Sequence, residues 1–422
     1  MSNNSNVDVS QTQNNSKIPS KRLNSLDFFK GLAIIIVYFY HLSNYWLARN
    51  WAWVNCATLF FTDVFGPSLF LFVSALAVTF SAKRKEGKVP DQIIRNRILT
   101  RGLVLMLISA PLNVYLCLTN VAIYTDIPFP LNLWGYNIIF FIGLSQIFSY
   151  ISYRLGSKLS LIVGLLIIFV GPPLRELVFN LNIEMLNQNN FNLFYFILHY
   201  LMTSPIPQLP LFPWIAISFV ATIFGDLLYK AWKGGTKELL VKTSQLFFFS
   251  GILFILIAVF YGYRLQSPDT LNPVIYPYIR IMDCANNQDI IPAVLYIGVP
   301  EFLIRSLSAN MLYLMGVALI FIASGLYFLD FKQKSNPFIK MNLFYGKISL
   351  SLYFFVEFFA FFFSSVFPLW FFLFFYIFMT AFVGFLLYIW KKYFYNIGTF
   401  EWVVGQSCKI IQDFTYQRIE KE

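Results

Sequence analysis

Apolar residues run along this chain in long blocks, too continuous for the three-and-four spacing of a surface helix. A helix needs about 20 predominantly apolar residues to cross a bilayer. Blocks of that size are expected at 28–47, 57–82, 98–118, 131–153, 159–177, 210–229, 244–263, 307–330, 346–367 and 369–390. One further segment, Phe191–Met202 (FNLFYFILHYLM), is apolar but short, and the Pro-rich SPIPQLP follows it. The pattern predicts an all-α fold, a polytopic membrane helix bundle of about ten transmembrane helices. Residues 1–26 form a polar Asn-, Ser- and Gln-rich tail expected to be disordered. Residues 27–390 form the membrane domain, and 391–422 a cytoplasmic tail in which FEWVVGQSCKIIQDFTYQ could make an amphipathic helix. No internal repeat is visible. No short apolar segment with a small-residue cleavage site precedes the first block, so no cleaved signal peptide is expected.

The positions of the basic residues orient this bundle. With ten spans, only Arg49, Arg175, Arg264, Arg280 and Arg305 of the 31 Lys and Arg fall on one side, and the rest fall on the other. If 191–202 also spanned, every later loop would invert and the split would become nearly even. The positive-inside rule therefore places both termini in the cytoplasm, with 191–202 lying in or dipping into the outer face. Composition agrees: 58% of residues are hydrophobic and only 12% charged, against about 25% charged in a soluble domain. A soluble enzyme, a disordered chain and a nucleic-acid binder are all but excluded. The net charge of +11 is topological rather than a nucleic-acid footprint. The four cysteines are far apart and form no CxxC pair, so neither a zinc site nor a disulfide framework is expected. The Phe-rich stretch from Phe354 to Phe385 reads as lipid-facing bulk.

Ionisable residues inside spans are costly, so each is a candidate for function. In the first span, SLDFFKGLAIIIVYFYHLSNYW, Lys30 and His41 are eleven positions apart and share an azimuth to about 20° at 100° per residue. Ile34 and Val37 lie on the same stripe and Asp27 one turn below, with His41 about 16 Å above Lys30. Such a face should look into the bundle. Lys30 could equally be a snorkelling interfacial lysine paired with Asp27, and His41 a structural interhelical hydrogen-bonding group. Asp63 opens the second span at a similar depth to His41 and could fix its tautomer and raise its basicity; as a helix-start acid it would simply favour the dipole. The loop AKRKEGKVPDQIIRNRILTRG carries seven basic residues; Arg97 and Arg101, one turn apart, suit phosphate binding, though such loops commonly only set topology and touch lipid headgroups. Glu357, deep in an apolar block, should be paired, protonated or functional.

In this order the segments resemble the transmembrane acyltransferase superfamily, which includes the bacterial acyltransferase-3 O-acyltransferases and the heparan-alpha-glucosaminide N-acetyltransferase-like proteins. SLDFFKGLAIIIVYFYH is similar to the family's Leu-Asp, basic-Gly and following His. TDVFGPSLFLFVSALAVTFS resembles the Asp-hydrophobic-Pro stretch of the acetyltransferase branch, and IIRNRILTRGLVLMLIS its basic approach to the third span. LFPWIAISFVATIFGD and FYGKISLSLYFFVEFF resemble the Pro-Trp span and the late Gly-x-x-Ser-Leu element. The resemblance covers about 27 to 390. Lys30 stands where the O-acyltransferase branch usually has Arg. The first outer loop, LARNWAWVNCAT, lacks the active histidine of the acetyltransferase branch, which leaves His41 as the embedded imidazole consistent with either branch.

The resemblance implies an acyl-CoA-dependent O- or N-acyltransferase of the cell membrane. It would move an acyl group, most simply acetyl from acetyl-CoA, to a hydroxyl or amine of a glycan or lipid-linked sugar. Lys30, Arg95, Arg97 and Arg101 would hold the CoA phosphates. His41 would act as base, oriented by Asp63, with Glu357 as a second cavity carboxylate; no metal is implied. The outer loop 264–306, with Arg264, Asp269, Arg280, Asp283, Asp289 and Glu301, could help receive the acceptor or be a solvated loop. Membrane lipid and the acceptor are the expected partners, no nucleic acid is, and a homodimer is allowed. A proton-coupled transporter or flippase, or a non-catalytic relative, is the alternative.

Overall fold

The computed structural model describes residues 23–51, 54, 58, 62–118, 133, 135, 137–188, 190–203, 210–267, 270–272, 275–276, 298–360, 363 and 365–420. Most of the expected tail 1–26 lies outside the described residues, as do Asp269, Arg280, Asp283 and Asp289 of the outer loop. The described chain is a helix bundle. Nine of its helices are long and apolar enough to cross a membrane: α1 (Asn24–Trp46), α2 (Val64–Lys85), α3 (Asp91–Leu118), α4 (Ile138–Leu155), α5 (Ser157–Asn187), α7 (Leu211–Gly234), α8 (Lys237–Tyr261), α9 (Ser308–Phe331) and α12 (Leu369–Phe394). The protein is a multi-pass integral membrane protein. Four further α-helices are described: α6 (Leu193–Thr203), α10 (Pro337–Lys347), α11 (Ser349–Ala360) and α13 (Phe400–Ile419). Two antiparallel strands, β1 (Leu265–Gln266) and β2 (Val299–Pro300), tie together the ends of the long α8–α9 connection.

Local chemistry sets the helix ends. Asn137, Thr236, Asn336 and Thr399 cap α4, α8, α10 and α13 through side-chain oxygens. The start of α1 has no such cap. Instead the Asp330 carboxylate, at the end of α9, accepts from the Asn24 amide at 2.7 Å and the Ser25 amide at 3.2 Å. These amides would otherwise be orphaned in a buried place. Pro67 supplies no amide hydrogen, and the chain answers with a π-turn over Val64–Ser68 at the start of α2.

Helices α2 and α7 form the centre, buried on most sides and packed on each other, with α1, α4 and α9 around them. Polar side chains join them: Ser145 with Ser218 at 2.7 Å and Thr79 with Thr222 at 3.2 Å. Such pairs matter where lipid offers no water to bond. Helices α5, α8 and α12 lie outside and turn bare apolar side chains outward, among them Leu166, Phe249, Phe260, Trp370, Phe374 and Phe385. With no membrane around them these would be a large exposed patch; in a bilayer they are the lipid face. The Phe-rich α12 is thus largely lipid-facing, although Phe372 is fully buried.

The block 346–367 departs from one uniform span. It is broken at Ile348, and α11 extends only from Ser349 to Ala360, about 18 Å of helix against a hydrocarbon core of about 30 Å. The break is hidden because the residues on both sides of it are mostly apolar. The segment α6, 11 residues long, packs on α5.

Candidate active site

Helix α1 crosses α10 at a point where two glycines meet. A Cβ on Gly31 would lie 2.0 Å from the Asn342 carbonyl oxygen, and one on Gly346 would lie 1.8 Å from that of Asp27. No side chain fits there, so the backbones touch and the flanking Lys30 and Lys347 are brought to one place. That place is a cavity of about 360 Å³, within the ordinary range of about 300–1,000 Å³ for ligand sites. Lys30, Arg97, Arg101 and Lys347 line it, against two carboxylates, Asp27 and Glu401. A smaller adjoining cavity shares Lys30, Arg97 and Arg101 and adds Lys85.

The stripe of α1 faces this cavity, with Asp27, Lys30, Ile34 and Val37 all on its wall. Leu105 and Ile142 make its apolar walls, and Tyr353 from α11 also lines it. Tyr353 meets His41 edge to face, with ring centroids 5.9 Å apart. His41 and Glu357 are not among the residues lining the cavity; Tyr353 joins its wall to the imidazole. His41 Nδ1 stands 2.6 Å from Glu357 Oε1, with the histidine side chain 24% exposed and the glutamate only 1%. A carboxylate on Nδ1 fixes the imidazole orientation and leaves Nε2 for a substrate proton.

Asp63 is placed differently from the expectation that it orients His41. It is buried and ion-paired with Arg305, whose guanidinium also lies over Trp214. Similar depth in two helices does not fix azimuth, and the π-turn that follows Asp63 resets the direction of the α2 start. Burial lowers the Arg305 pKa to about 10, so the group keeps its charge at neutral pH opposite Asp63. Asp63 Oδ2 has no hydrogen-bond partner among the described residues.

Arg95 also separates from its expected companions. Arg97 and Arg101 lie within about 40° of each other on α3, whereas Arg95 is turned about 160° from Arg97. It does not line the cavity, and its Nε donates to Asn96. Three cavity groups went unmarked in the sequence. Lys347 looks like a topological lysine, and only its place beside Gly346, the reverse of the Lys30-Gly31 pair in α1, marks it. Glu401 and Cys408 come from α13, which packs against α3 and closes one side of the cavity. The Cys408 thiol donates to the Arg97 carbonyl at 3.6 Å. Burial pushes its pKa up, opposed by Arg101, Arg97 and Lys85. Among the described residues no cluster of three His, Cys, Asp or Glu could hold a metal ion.

The arrangement offers a cationic mouth, an apolar passage and a carboxylate-held imidazole, parts that suit group transfer from a phosphorylated donor. No curated protein and no solved structure matches the chain. A family model described as "Heparan-alpha-glucosaminide N-acetyltransferase, catalytic" matches residues 22–256, more than half of the chain and all of α1 to α7. The chain belongs to this family of transmembrane acyltransferases.

Proposed function

We propose that the protein transfers an acetyl group from acetyl-CoA to a hydroxyl or amine of a glycan or lipid-linked sugar. The observation that carries the reading is the continuity of one cavity, from Lys30, Arg97, Arg101 and Lys347 to Tyr353, the residue in contact with His41. CoA is a polyanion on a long flexible arm. Its phosphates would pair with the cationic mouth, where guanidinium and ammonium bonds to phosphate are strong. The arm would carry the thioester along the apolar wall toward His41. The positive-inside distribution supports a cytoplasmic position for that mouth, the side from which acyl-CoA would enter.

His41 is the general base in this reading. Nε2 takes the proton from the acceptor oxygen or nitrogen as that atom bonds to the thioester carbonyl carbon. The carbon–sulfur bond then breaks, and the proton returns from His41 to the departing CoA thiolate. Glu357 keeps Nδ1–H pointed at itself and stabilises the imidazolium that forms between those steps. Asp63, paired with Arg305 away from the imidazole, is given no proton-transfer role. Arg95, outside the cavity, would meet solvent or lipid headgroups. Acceptor binding would fall to the end of the bundle opposite the cationic mouth.

The test is direct. Membranes containing the protein are incubated with radiolabelled acetyl-CoA and the labelled product is identified. Label in a glycan or lipid-linked sugar, dependent on the protein, supports the reading. Absence of protein-dependent label across such acceptors would sink it.

A further inference from the structure

Helix α11 carries Tyr353 and Glu357 to His41, yet little of its own sequence fixes where it stands. It is too short to span and is cut from α10 at Ile348, so neither hydrophobic length nor helix continuity sets its depth. Its first turn is held from elsewhere. Glu401, at the start of α13, accepts from the Leu350 amide at 2.7 Å, from the Ser351 amide at 3.0 Å and from the Ser351 hydroxyl. Phe400 stacks on Phe354 with centroids 3.9 Å apart, and its amide donates to Ser351 Oγ at 3.0 Å. Helix α13 is anchored in turn on α3, where Asn96 donates to Thr415 at 3.1 Å and Cys408 to the Arg97 carbonyl.

We infer that Glu401 is a positioning residue of the transfer reaction: by holding the start of α11, it sets Glu357 against His41. The inference rests on the acyltransfer reading for its functional meaning. Glu357 lies two turns beyond Leu350, about 10 Å along the helix axis, so Glu401 acts on it through a rigid element and not by contact. Register matters at that distance. A carboxylate 2.6 Å from Nδ1 loses that close approach if α11 slides or turns by about 1 Å. Glu401 also lines the cavity with Lys30, Arg97, Arg101 and Lys347. Occupation of the cationic mouth by a polyanionic donor would therefore be felt at the clamp that aligns the base. None of these groups beyond Arg101 lies in the matched region 22–256, so the C-terminal helix belongs to the working site while lying outside the family's matched core.

The experiment uses the full-length protein and its histidine count. Only two histidines exist, so ¹⁵N-histidine labelling gives two side-chain spectra, assigned with H41A. The readout is the Nδ1 signal of His41 in its carboxylate-bound, Nδ1-protonated form. Its environment is Glu357, Tyr353 and Tyr40, each within ring or ion-pair contact. Wild type should show this signature and E357Q should lose it. E401A should lose it to the same extent, and E401Q, which keeps one accepting oxygen for the α11 amides, should retain part of it. Thermal unfolding run in parallel separates a misfolded E401A from a displaced α11, and E401Q carries the test if E401A does not fold. An unchanged His41 signature in folded E401A and E401Q would overturn the role of Glu401 while leaving the acyltransfer reading intact. A wild type without the signature would overturn both the His41–Glu357 contact and the inference built on it.

Discussion

His41 Nδ1 and Glu357 Oε1 stand 2.6 Å apart, joining the first helix of the bundle to the eleventh. In the proposed mechanism this contact makes Glu357 the group that sets the tautomer of the base. Glu357→Gln removes the charge with little change in volume. It should lower the transfer rate by about 100-fold or more, the scale of a lost acid–base contribution, with donor affinity within about 2-fold of wild type. Paired measurements of turnover and CoA binding check this; equal losses in both would point to a collapsed cavity instead.

The cationic mouth predicts a split among neighbouring arginines. Arg97→Ala and Arg101→Ala each remove a cavity cation and should weaken CoA binding by roughly 10- to 100-fold, the worth of one charge-assisted contact. Arg95→Ala, two residues away but off the cavity, should stay within about 2-fold. Equilibrium binding of labelled CoA to the three purified variants separates them. Equal effects at all three positions would mean that general surface charge, not the cavity, attracts the donor.

The crossing of α1 and α10 predicts a steep penalty for a single methyl group. Gly31→Ala would put its Cβ 2.0 Å from a backbone oxygen that cannot swing aside. The helices must part, at a cost of about 1–3 kcal/mol or more. The thermal midpoint in detergent should fall, and CoA binding should weaken as Lys30 and Lys347 separate. For the thermal midpoint, Gly405→Ala on α13 is the control: Gly405 lines the cavity, but a Cβ there meets nothing within 4 Å, and alanine favours the helix by about 1 kcal/mol.

How much of this was readable beforehand differs by residue. The α1 stripe was readable because one helix carries it, and azimuth within a helix follows from 100° per residue. Lys30, Ile34 and Val37 accordingly share a wall. The partner of His41 was not readable, since depth along the membrane says nothing about which helices adjoin; Asp63 had the right depth and faces Arg305. Glu401 sat in a segment of ordinary tail composition, and only its contacts reveal it.

Cys408 offers a reporter for cavity occupancy. Burial holds its thiol above the ordinary thiol range, and only the thiolate reacts with maleimide. In a chain with Cys56, Cys117 and Cys284 replaced by serine, labelling should be slow at pH 7. It should rise with pH up to that elevated pKa, because the thiolate fraction grows as the proton is lost. Added CoA should slow it further by filling the cavity. Labelling that is fast at neutral pH and indifferent to CoA would place Cys408 outside the donor site.

The central claim is that His41 performs acyl transfer from CoA. It is tested by the rate at which purified wild-type and His41→Ala protein pass radiolabel from acetyl-CoA to an identified glycan or lipid-linked acceptor, with CoA affinity and thermal midpoint measured alongside. The account predicts that His41→Ala binds CoA and unfolds like wild type but transfers label at least about 100-fold more slowly. Transfer at the wild-type rate by folded His41→Ala protein would contradict it.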